Sequence, residues 1–233
     1  MGIKRQWHKF MFYLHAGVKQ SPSNSASPCA GDQRQYMQAN KDIGQKELTR
    51  HDVHWWLDLF IFDNIFRYVL KKEADNITAW RLHRRWTTDA TGHACSLYCL
   101  CDKETALYIQ KSIARSKFFK MLQSSWYFRA FEHKIEDFSD EWPKALRKSW
   151  PLFAQGLSEF FLEYMRDSKV VGGRKACKSL LDYQPHYETM LKDMNKDWYW
   201  FGRHAFFHHI NGMFAYEHLQ ISFVELGGIV GSV

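Results

Sequence analysis

Histidines on helical spacing are the residues of this chain most able to do chemistry. His51, His54 and Asp58 fall at i, i+3 and i+7, so a helix would carry all three on one stripe. His204, His208 and Asn211 repeat the pattern at i, i+4 and i+7, with His209, Glu217 and His218 close behind. Imidazole nitrogens and carboxylates converging from neighbouring helices are how zinc, iron and haem sites are built. His51, His54, Asp58, His204 and His208 are therefore a candidate ligand set for a metal ion or haem. The same residues could equally cap helices or line the rim of an aromatic core. His-Glu-x-x-His is missing, which removes the zinc-protease arrangement with its built-in base. Paired Glu-x-x-His is missing as well, which disfavours a di-iron site. His186-Tyr187-Glu188 resembles two ligands of a facial triad but follows Pro185 in a helical region, where such triads do not sit.

Cys95, Cys99 and Cys101 share one face of an expected strand. Neighbours at i and i+2 lie about 6.6 Å apart along an extended chain, which is poor for a disulfide and awkward for one tetrahedral metal. No Cys-x-x-Cys pair occurs, so these cysteines read as small buried apolar residues. Gly-x-Gly-x-x-Gly, the Gly-Lys-Ser of a phosphate loop and Gly-x-Ser-x-Gly are all absent, which removes the common nucleotide and serine-hydrolase chemistries.

The second constellation is basic and aromatic. Trp80, Arg81, Arg84, Arg85 and Trp86 crowd one expected strand, and Lys111, Arg115, Lys117 and Lys120 follow on a helix. Cations interleaved with rings suit an acidic peptide or protein, and to a lesser degree the phosphates and bases of nucleic acid. The signature of an RNA-recognition domain is absent. The exposed edge of an isolated hairpin could also accept an extended peptide as an added strand.

These residues need elements to position them. A helix is expected from Thr49 through Lys72, with Thr49 and Asp52 as a capping box and Leu48 and Val53 as a hydrophobic staple. It is apolar around most of its circumference and so should be central and buried. Asp63 and Arg67, four apart, can pair on it. Alternation around Trp80 to Trp86, a turn at Asp89 to Gly92, and a run from His93 to Cys101 predict an antiparallel hairpin near residues 78–101. Asp102 should cap a helix from Lys103 to about Gln123. From Trp126 onward the chain reads as mostly helical, with Pro151 breaking or kinking a helix that runs to about Arg166 and Pro185 opening a separate segment. The first residues form a strand or helical turn docked by Trp7, Phe10 and Phe12. Ser21 to Pro28 reads as a flexible polar loop.

The expected fold is α+β, helix-dominated, with a small antiparallel sheet. Residues 1–46 form an N-terminal element and loop, and residues 47–233 a compact domain. The 233 residues contain 18 Phe, 11 Tyr and 10 Trp and are 45% hydrophobic, enough apolar surface to exclude overall disorder. Five cysteines without pairing signatures point to a reducing, cytoplasmic setting. No apolar run approaches the roughly 18 residues of a membrane span. The formal charge of +7 is modest for this length, and Glu132, Glu136, Asp137, Asp140 and Glu141 make a compensating acidic stretch. The functional expectation is a non-enzymatic binding or accessory protein that engages an acidic peptide or protein through the basic-aromatic hairpin. The alternative is a metal- or haem-dependent enzyme using the histidine stripes.

Overall fold

The computed structural model describes residues 5–15, 53–85, 93–136, 144–167 and 177–202, together with Ala205. The architecture is α+β. Four strands, β1 (Gln6–Leu14), β2 (Ala79–Arg85), β3 (Ala94–Cys101) and β4 (Phe128–Glu136), form one antiparallel sheet in the order β2-β3-β1-β4. Five helices complete the described residues. They are α1 (55–72), α2 (Lys103–Arg115), α3 (Lys117–Gln123), α4 (Lys144–Asp167) and α5 (Leu180–Asp197). No helix among the described residues is long and apolar enough to cross a membrane.

β1 is an inner strand. Phe10 pairs with Leu97 of β3 on one side and with His133 of β4 on the other. Its run from Phe10 to Phe12 is buried on both faces, which explains why it reads as continuous apolar sequence instead of alternating. The β2–β3 hairpin forms as expected, from Ala79 opposite Leu100 to Arg85 opposite Ala94. β4 corrects the reading of Trp126 onward as helix. Its residues alternate, with Phe131, His133 and Ile135 on one side and Glu132, Lys134 and Glu136 on the other.

α1 is the buried centre that its composition predicts. Phe66 meets Phe12 of the sheet, Phe60 meets Phe118 of α3 and Tyr183 of α5, and Phe62 meets Phe161 of α4, with ring centroids 5.2 to 5.9 Å apart. Edge-to-face contacts of this kind add roughly 0.5–1.5 kcal/mol each to the burial itself. The helix begins at Trp55, not Thr49, and His54 precedes it without a side-chain cap. Thr49 and Asp52 lie outside the described residues. Between Trp55–Ile61 and Arg67–Lys72 the rod passes through a π turn, Phe62–Phe66. One extra residue in a helix rotates everything after it by about 100°, so Tyr68 and Lys72 are re-aimed relative to Trp55–Ile61.

Other boundaries also differ from expectation. Ser116 splits the helix expected over 103–123 because its backbone is extended, at φ −61° and ψ 134°. Its hydroxyl then caps α3 by accepting from the Phe118 amide at 3.2 Å. Asp102 caps α2 as predicted, accepting from the Thr105 amide at 2.8 Å, and that bond holds its carboxyl below the usual range. α4 runs through Pro151 and α5 through Pro185 without interruption. A proline removes one amide from a helix ladder, and long helices with packed faces absorb that loss.

The chain forms two compact units, Met1–Met190 and Leu191–Val233. The second holds a π turn, Trp198–Gly202. A Cβ on Gly202 would stand 2.6 Å from the Trp198 ring, so any other residue there would require that ring to move.

Candidate functional site

The five residues of the basic-aromatic hairpin do not form one surface. Strand alternation sends Arg84 to the helix-bearing face and Arg81 and Arg85 to the other. Arg84 reaches inward to Asp58, Nε to Oδ2 3.3 Å, and lies over the rings of Phe161, Phe62 and Trp55 at 5.0, 5.3 and 5.9 Å. Arg81 stacks on Tyr98 at 4.1 Å. Trp86 lies outside the described residues. The free edge of β2 is already occupied. The Trp80 amide donates to Gln155 Oε1 at 3.1 Å and the Leu82 amide to Ser158 Oγ at 3.0 Å, both from α4. A helix therefore takes the donors that an added strand would need.

The described members of the histidine set also part company. His54 packs against the rings of Trp126 and Tyr127. Asp58, fully buried, accepts from His93 Nε2 at 2.9 Å. His51, His204 and His208 lie outside the described residues. Among the described residues no three His, Cys, Asp or Glu side chains are placed to hold a metal ion.

Sequence reasoning missed two buried polar clusters. In the first, Asp58 is shared by His93 and Arg84, with Cys95 beside it on β3. Burial above all, then the Asp58 charge, pushes the Cys95 thiol well above its ordinary range. It therefore stays protonated and is no nucleophile. In the second, His8 Nδ1 and His133 Nε2 lie 3.0 Å apart and His133 Nδ1 meets Gln110 Oε1 at 3.2 Å. Burial lowers the pKa of both imidazoles. Strand register brings His8 to His133, and strand register together with the packing of α1 on the sheet brings Asp58 to Arg84, His93 and Cys95, which spacing along one segment cannot reveal.

Among the described residues, a cleft of about 420 Å³ lies between α1, α2 and the start of α3. Lys72 of α1, Lys111 and Arg115 of α2, and Lys117 of α3 border it, and no carboxylate does. Tyr68 and Tyr108, half exposed, stand at its mouth. Lys72 Nζ lies 4.7 Å from the centre of the Tyr108 ring. A hydrogen bond with Tyr108 raises its pKa further, keeping it a cation. The floor is rigid. Asn64, in the π turn, donates to Tyr187 Oη at 2.6 Å, and Tyr187 donates to Asp63 at 2.7 Å. Asp63 in turn pairs with Arg67 at 2.8 Å, as their i, i+4 spacing predicts, and Arg67 donates to the Leu162 carbonyl.

Compared with protein-family models, with curated proteins and with solved structures, the chain matches none of them. The chemistry of the cleft must therefore be argued from its own residues. Three of its cations were legible as a basic helical cluster, Lys111, Arg115 and Lys117. Lys72 and the two tyrosines were not, because only the π turn and the packing of α1 on α2 bring them there.

Proposed function

We propose that this chain is a non-enzymatic binding protein that engages an acidic peptide or protein partner, and that the cleft between α1, α2 and α3 is the contact surface. The observation that carries this reading is the lining itself, which has four cations, two tyrosines and no compensating carboxylate. Like charges held close repel one another unless an anion joins them. An acidic side chain entering the cleft would relieve that repulsion, and the tyrosines would supply apolar contact and hydroxyl donors. Exposed charge pairs contribute roughly 0.2–1 kcal/mol each, so a peptide would need several carboxylates to bind well. The hairpin is the weaker surface because Arg84 is committed to Asp58 and the β2 edge to α4.

Fluorescence anisotropy with a labelled Glu-rich peptide tests the proposal. Saturable binding is expected, weakened by raised salt because surface charges are screened beyond about 8–10 Å. Lys111→Glu combined with Arg115→Glu is expected to abolish it. Equal binding of a neutral peptide of the same length, or full affinity in the double variant, would sink the reading.

A further inference from the structure

α4 carries an exposed apolar row that neither the sheet nor the cleft uses. Residues four apart on a helix lie one above the other, and Leu152, Gly156 and Phe160 form such a row. Its opposite side, with Ala154, Ser158 and Met165, is buried. Leu152 is 71% exposed and Phe160 58%, and Phe153 and Leu157 flank them half exposed. A Cβ placed on Gly156 meets no atom within 4 Å, so the middle of the row is a notch open to the outside.

The charges around this row are ordered. Lys148 is exposed one turn before Leu152, and Glu163, exposed one turn after Phe160, pairs with Arg166 of its own helix at 2.6 Å. Along the helix the order is cation, large apolar, glycine, large apolar, anion. A second copy turned by half a revolution about an axis at Gly156 presents the reverse order. Glu163 of the second copy then stands opposite Lys148, Phe160 opposite Leu152, and glycine opposite glycine, and the symmetry repeats each contact. A patch complementary to itself in this way is what a two-fold interface requires. Glycine at the crossing lets the two backbones approach more closely than the usual 8–10 Å.

We infer that α4 is a homodimer interface, with two copies packed antiparallel through Leu152, Gly156 and Phe160 and with Lys148 of each copy joining the Glu163–Arg166 pair of the other. A 24-residue helix is about 36 Å long. One helix pair buries less than the roughly 800 Å² per partner of a standard stable interface. The dimer is therefore a reversible one.

Sedimentation velocity on the full chain tests this, from about 1 to 200 µM, the range in which a weak, reversible dimer would form. Wild type is expected to pass from monomer to dimer. Phe160→Asp should remain monomeric with an unchanged circular dichroism spectrum, since the side chain is exposed. K148E and E163K alone should each weaken dimerisation about tenfold, because each replaces two exposed pairs by two repulsions. The double variant K148E/E163K should restore it. A monomer at every concentration overturns the inference. So does a dimer that survives Phe160→Asp, or single-variant losses that the charge swap does not repair.

Discussion

At the scale of single residues, the imidazoles of His8, which is buried, and His133, which is half-buried, are expected to make folding depend on pH. His8 and His133 touch through their ring nitrogens at 3.0 Å, and burial holds the pKa of each below the ordinary 6.5. The unfolded chain therefore binds more protons than the folded one as pH falls below about 6.5. The stability contributed by the neutral pair is complete above that value and is lost progressively as pH drops through the folded pKa values. The urea midpoint is expected to fall between about pH 7.5 and pH 5. His133→Gln keeps a donor and an acceptor but cannot take a proton, so it should flatten this limb. A midpoint with the same slope in both proteins would show that the pair is not the source. Neither member of the pair stands out in the sequence. His8 follows a basic start and His133 sits in a segment read as helix, and only the register of β1 against β4 makes them neighbours.

At the scale of elements, the legible parts are those whose signal is local. α1 announces itself by apolar residues around most of its circumference, and the β2–β3 hairpin by alternation flanking a turn. β4 was lost because it is an edge strand whose second face carries Glu132, Lys134 and Glu136, so its apolar content is low. The closure of the other edge is not local at all. Ser158 of α4 accepts from the Leu82 amide at 3.0 Å and donates to the Ala154 carbonyl at 2.7 Å. Ser158→Ala leaves the Leu82 donor without its partner and should cost about 1–2 kcal/mol. Chemical denaturation would read the loss, and faster amide exchange confined first to Leu82 would locate it. An unchanged stability together with unchanged exchange at Leu82 would mean that α4 does not seal this edge.

At the scale of the whole molecule, charge acts in two separable ways. The overall +7 sets a field that attracts anions, and on the proposed reading the cleft would set where an acidic partner stays. The aromatic core makes that separation possible. The rings around Phe60 and Phe62 fix α1 against α3, α4 and α5, so Lys72 is presented to Lys111, Arg115 and Lys117 at little further cost in conformational entropy. Composition indicates the field, and neither composition nor helical spacing indicates the cleft, because its cations come from three elements. Two double reversals distinguish the effects. K111E/R115E alters the cleft, whereas K103E/K178E removes equal charge at exposed positions that do not line it. Stopped-flow binding of the Glu-rich peptide should show K103E/K178E slowing association severalfold at low salt and leaving dissociation nearly unchanged. K111E/R115E should slow association and also speed dissociation, so that affinity is lost even where salt equalises the association rates. If the two variants lose affinity equally and only through association, the peptide senses net charge alone and the cleft has no part in holding it.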